Sequence, residues 1–104
     1  MEDIDKYEAI LVETVKDFVS DLDESESGKV MAHMDMMQMA EFDAVHTKLI
    51  KNPIKELIVG KYRFLFFIEK RIIYFIHAFM KKTQKTPRRE IQYAEKIYKI
   101  LRKK

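Results

Sequence analysis

Arg63 is the residue that first demands a chemical explanation. It sits inside Tyr62-Arg63-Phe64-Leu65-Phe66-Phe67-Ile68, an otherwise apolar run, and a guanidinium drawn out of water needs a carboxylate or an anionic ligand. Strand spacing puts Arg63 on the face of Leu65 and Phe67, opposite Tyr62, Phe64 and Phe66. A sheet with helices on one face keeps its other face for solvent or ligand, so Arg63 either pairs with a carboxylate such as Glu56 or projects from the open face to hold a phosphate. More cations follow: Lys81, Lys82 and Lys85 in a polar loop, then Arg88 and Arg89, with Lys55 and Lys61 upstream. Positive charge at this density attracts the phosphates of a polyanion. His77 is a conditional candidate for proton transfer, the alternative being a hydrogen-bonded structural histidine.

Other chemistries lack their residues. There is no cysteine, so disulfides and thiol catalysis are excluded, which fits a reducing compartment. No Gly-rich phosphate loop, paired-carboxylate motif, metal cluster or Ser-His-Asp pattern occurs. His33 and His46 stand away from metal-ligand spacing, and no cofactor or metal is expected. The net charge of +3 conceals a division. Residues 1–42 carry three basic and twelve acidic side chains, a net of −9, and residues 43–104 carry seventeen basic and five acidic, a net of +12. A basic field on one part of a small domain attracts polyanions, and an acidic part orients them, the alternative being two solvated faces that attract each other.

The elements that must position these groups follow from periodicity. The 104 residues, 47% hydrophobic, suit a single domain, 1–104, with one core. Tyr7–Val12 reads as a short edge strand or the first turn of a helix. From Val12, the positions Val15, Phe18, Val19 and Leu22 predict a first helix. Ser25 or Ser27 is expected to cap a second helix reaching about Phe42, antiparallel to the first. That helix carries five of the seven methionines, which read as core filling rather than as an adaptable partner-binding face. Asp43–Pro53 reads as a loop, Ile54–Val59 as a strand, and Gly60-Lys61 as a turn. Tyr62–Ile68 and Ile72–Met80 then form a hairpin across Glu69-Lys70-Arg71. A three-residue loop there places Arg63, His77, Phe79 and Lys81 on one face, whereas a two- or four-residue loop places Ile76, Ala78 and Met80 beside Arg63. Thr86 and Pro87 are expected to start a basic amphipathic helix over Pro87–Lys103, with Ile91, Ala94, Ile97, Tyr98 and Leu101 on its apolar face. The acidic start is unlike a signal peptide and charges break the apolar run, so neither a signal peptide nor a membrane span is expected, and a cytoplasmic protein is.

Tyr62-Arg63-Phe64-Leu65-Phe66-Phe67, followed by Ile76-His77-Ala78-Phe79-Met80-Lys81-Lys82-Thr83-Gln84-Lys85-Thr86-Pro87 and a basic helix, resembles the HigB branch of the RelE superfamily. These are the toxins of type II toxin–antitoxin systems. The resemblance is most specific over residues 53–100. It implies an α+β fold with two N-terminal helices packed on a small twisted, mainly antiparallel sheet and a C-terminal basic helix. It also implies a ribosome-dependent mRNA endoribonuclease working by metal-independent 2′-hydroxyl attack. The implied partners are a cognate HigA-like helix-turn-helix antitoxin, mRNA on the ribosome and, through the antitoxin, operator DNA. By position, Arg63 matches the family's strand arginine, Lys81 and Lys82 match the lysines after the last strand, and His77 matches a frequent family histidine; these four are the catalytic candidates, while Lys55, Lys61, Lys85, Arg88 and Arg89 are the expected RNA contacts. Where members usually read Glu-Leu-Arg, this chain reads Glu56-Leu57-Ile58. Lys61 is the better substitute for the missing cation, because Lys55 falls on the opposite face from position 58. The alternative expectation is a catalytically weakened, toxin-like module that binds antitoxin, RNA or ribosome.

Overall fold

In chain order the elements are β1 (Glu8–Leu11), α1 (Glu13–Ser20), α2 (Glu24–Gln38), a 3₁₀ turn (Phe42–Ala44), β2 (His46–Lys51), β3 (Ile54–Val59), β4 (Tyr62–Glu69), β5 (Ile72–Met80) and α3 (Arg88–Arg102). The structure, a computed structural model, describes residues 6–103, so most of the acidic leader lies outside the described residues. The five strands form one sheet in the order β1-β5-β4-β3-β2. All neighbours are antiparallel except β1, which runs parallel to β5. The sheet is therefore mixed but mostly antiparallel, and one strand precedes the helical pair.

The hairpin at its centre settles the register left open by the sequence. Lys70 and Arg71 have φ of 51° and 66°, the paired left-handed geometry of a two-residue turn whose twist matches the flanking strands. Glu69 accordingly pairs with Ile72, which corrects the three-residue loop. A two-residue turn alone would bring Ile76 and Ala78 to the side of Arg63. One extra residue reverses that outcome: Phe66 pairs with Phe75 while Leu65 pairs with His77, leaving Ile76 as a bulge. Beyond the bulge the parity is shifted by one, so Arg63, Leu65, His77 and Phe79 share a face.

Both faces of the sheet are covered. Val15 and Val19 of α1, and Val30, Met34 and Met37 of α2, pack with Leu57, Phe64, Phe66 and Phe75 on one side. Phe18 adds edge-on ring contacts to Tyr62 and Phe64 at 5.8 Å. On the other side Ala94, Ile97, Tyr98 and Leu101 of α3 pack with Ile54, Leu65, Phe67 and Ile76. The expected open face is thus corrected: the apolar stripe of α3 needs an apolar partner surface, and the odd-numbered side of β4 supplies it. Of the methionines in and just after α2, Met34 and Met37 are core, whereas Met31 and the capping Met39 are exposed.

Three boundaries also differ from the periodicity. Asp23, not a serine, caps α2 by accepting from the Glu26 N–H at 2.8 Å. The same helix ends at Gln38, because Ala40 takes φ 64° and its N–H and that of Glu41 return to the carbonyls of Met37 and Met36. That is the bond pattern of a left-handed helix stop, here built without glycine. Residues 46–51, read as loop, form the edge strand β2. Its His-Thr-Lys-Leu-Ile-Lys sequence is largely solvated, and only the hydrogen bonds to β3 define it. At the opposite edge the outward N–H groups of Tyr7 and Ala9 donate to the Gln38 backbone and side-chain oxygens at 2.7 and 2.8 Å, which closes that edge to further pairing.

Candidate functional site

Two backbone features gather the cations. Gly60, at φ 58°, allows β3 to turn into β4, a conformation that a side chain would strain. The Lys81 N–H then donates to the Lys61 carbonyl at 2.9 Å, holding the end of β5 against that turn. As a result Lys61, Arg63, Lys81 and Lys82, with Thr83 and Gln84, line one open pocket. Four formal positive charges around one concavity are able to hold an anion such as a phosphate.

Arg63 occupies the floor of this arrangement, its side chain only 13% exposed. Its Nη1 donates to the carbonyls of Gly60 at 2.7 Å and Tyr62 at 3.0 Å. Its Nε lies 4.0 Å from Oε1 of Glu56, a carboxylate with no exposure to solvent. Of the two readings of Arg63, the pairing with Glu56 is present at ion-pair range, and the same side chain also lines the pocket. Glu56 Oε2 accepts from the Thr86 hydroxyl at 2.8 Å, and Lys48 Nζ stands 3.9 Å from Oε1. Thr86 is thereby diverted from the expected capping role: α3 begins after Pro87 with no side-chain cap. In the sequence Glu56 is one option for Arg63 and the glutamate of the Glu56-Leu57-Ile58 match, with no further role. The signal for a larger role was a second charge inside an apolar strand, the same signal that singles out Arg63.

The other candidates are distributed around this pocket. His77 shares the sheet face of Arg63 but does not line the pocket; its Nε2 lies 2.6 Å from Oε1 of Glu90 on α3. Its ring rests against Phe79 at 5.6 Å and Tyr93 at 4.6 Å. Lys85, Arg88 and Arg89 join Lys82 around an adjoining pocket at the start of α3, with Phe79, Met80 and Ile91 as its apolar wall. Lys55 is exposed and falls, by register with Phe66, on the α1/α2 side of the sheet, away from both pockets. Ile58 pairs directly with Arg63 and is half-buried, so the position of the missing arginine is adjacent to the retained one. Tyr62, which sequence reasoning passed over, anchors the site from behind: its hydroxyl donates to Glu26 at the start of α2. That hydrogen bond and burial push the Tyr62 phenol up to about 12.

Residues 17–99 match the family described as phage derived protein Gp49-like (DUF891). The chain belongs to that family. The match runs from the middle of α1 to near the end of α3 and includes every cation of both pockets. The Gp49-like family is toxin–antitoxin-associated and RelE/HigB-like, and it points to a toxin-like module with an antitoxin as its partner. No curated protein matches the chain. Among the described residues of this Gp49-like protein, no helix is long and apolar enough to cross a membrane.

Proposed function

We propose that this Gp49-like chain is the toxin of a type II toxin–antitoxin pair and cleaves mRNA on the ribosome. The observation that carries the reading is the convergence of Lys61, Arg63, Lys81 and Lys82 on one pocket within a chain of a toxin–antitoxin-associated family. In this reading the scissile phosphate enters the pocket with its non-bridging oxygens toward the Arg63 guanidinium and the lysine ammonium groups. The 2′-oxygen of the preceding ribose attacks phosphorus, the bond to the 5′-oxygen breaks, and a cyclic phosphate results. The 2′-hydroxyl proton leaves to water in the open pocket. A lysine N–H supplies a proton to the departing 5′-oxygen. The cations offset the extra negative charge of the phosphorane, which is the step they serve best. Lys85, Arg88 and Arg89 attract the flanking backbone, and His77 is assigned to holding α3 through Glu90. The antitoxin is a HigA-like helix-turn-helix protein, through which the pair contacts operator DNA, and the complex works in the cytoplasm.

Ile58 favours a second reading, a toxin-like module that binds antitoxin, RNA or ribosome without cutting, because the position paired with Arg63 carries no cation. Induction in a bacterial host separates the two. Wild type should arrest growth under the first reading, relieved by a small helix-turn-helix protein encoded beside it. Under the second reading only Ile58→Arg is toxic, with growth inhibition at least about tenfold stronger than that of wild type.

A further inference from the structure

We infer that Glu56 is a positioning residue that fixes Arg63 and the lysine-bearing loop relative to each other, a role that rests on the proposed phosphate site. A carboxylate is the wrong charge for a phosphate pocket, and burying one without solvent is unfavourable unless its oxygens are occupied. Yet Glu56 is fully buried immediately behind the cations. Its contacts explain why it is there. Oε2 takes the Thr86 hydroxyl at 2.8 Å, which fixes the end of the 81–87 loop that delivers Lys81 and Lys82. Oε1 stands 4.0 Å from Arg63 Nε on β4 and 3.9 Å from Lys48 Nζ on β2. One side chain on β3 therefore faces a cation on each neighbouring strand and a hydroxyl in the loop.

The pair with Arg63 is in ion-pair range but not in hydrogen-bond contact. Glu56 Oε1 and Arg63 Nε are both buried, and neither has a hydrogen-bond partner. The guanidinium spends Nη1 on the Gly60 and Tyr62 carbonyls, so its plane is set by three groups: two turn carbonyls and one carboxylate at its rear. The carboxylate stands on the Nε side and the carbonyls take Nη1, so Nη2 is the guanidinium nitrogen left for an anion in the pocket that Arg63 lines. Its charge thus orients Arg63 without occupying the position that the substrate phosphate takes. It also opposes polyanion binding, since it lowers the local positive potential.

These two effects have opposite signs, and that gives a test that a merely structural role would not satisfy. Glu56→Gln keeps an oxygen for Thr86 and removes the charge. In folded Glu56→Gln, the Nε–Hε resonance of Arg63, identified by its loss in Arg63→Lys, should shift, and its exchange with solvent should quicken. On translating ribosomes the variant should cut mRNA up to about a hundredfold more slowly at saturating protein, because misplacement of a phosphate-holding group weakens the transition state more than the ground state. Its half-saturating concentration should be unchanged or lower, since a repelling charge has gone. Should Glu56→Gln fail to fold, Thr86→Val and Thr86→Ser carry the test: valine should move the Arg63 resonance and serine should restore it. An Arg63 resonance unmoved in folded Glu56→Gln, or in Thr86→Val, overturns the positioning role whatever the ribosome assay gives. A moved resonance with no cleavage by wild type upholds the positioning role and overturns the nuclease reading instead.

Discussion

Arg63 and the three lysines around it act at different depths, and substitution should reveal this. Lys82 is exposed at the junction of the two pockets, so Lys82→Ala should leave the melting temperature within about a degree, as surface changes usually do. The logarithmic salt dependence of binding to a single-stranded RNA should flatten by about 0.7, the value of one phosphate contact; an unchanged slope would remove Lys82 from the interface. Arg63 is less cleanly tested by truncation, because Arg63→Ala leaves Glu56 buried with one cation fewer. Tyr62 supplies a pH signature. Its phenol is raised to about 12 in the folded chain, against about 10 when unfolded. The contribution of its neutral form to stability is therefore fully present below pH 10 and is lost as pH rises toward 12. An alkaline absorbance titration at the tyrosinate band should show one late-titrating phenol that vanishes in Tyr62→Phe. At this scale the sequence made Arg63 and its cationic neighbours legible, because a charge within an apolar strand is conspicuous. It did not make the partnership of Glu56 with Thr86 legible, since 30 residues separate them and only the folded sheet joins them.

The secondary elements form where apolar periodicity is strong and end where local backbone chemistry intervenes. The stop of α2 at Ala40 is an example. At φ 64° an alanine carries a steric cost of about 1 kcal/mol that glycine avoids. Ala40→Gly should accordingly stabilise the domain by roughly 0.5–1 kcal/mol, read as a higher urea midpoint at unchanged slope; a lower midpoint would show that the helix stop is set elsewhere. The same residue explains why the helix was expected to continue to Phe42: no glycine marks its end. The hairpin was readable from its two apolar runs, whereas the bulge at Ile76 was not, because a buried isoleucine satisfies either parity equally well. That one residue decides which side chains accompany Arg63. β2 was unreadable for another reason, as a solvated edge strand has the composition of a loop and is defined by its neighbour.

In the whole molecule, the charge division of the sequence becomes a division between layers. α1 and α2 bring acidic surface to one side of the sheet, and α3, the end of β5 and the β3–β4 turn bring basic surface to the other. The division was legible from residue counts, but its geometry was not. The expectation of helices on one face left the other open, whereas α3 covers much of it and confines the cations to one end of the hairpin. A polyanion approaching this protein meets attraction from one layer only, so long-range steering and the local pocket select the same orientation. The direct test is to add the purified, folded protein to translating ribosomes and map the mRNA ends. Wild type should cut the message within codons and leave a 2′,3′-cyclic phosphate, and a Lys81→Ala, Lys82→Ala double variant that remains folded should cut at least about a hundredfold more slowly. Intact mRNA after incubation with well-folded wild type would contradict the proposal that this cationic pocket is the catalytic site of a toxin.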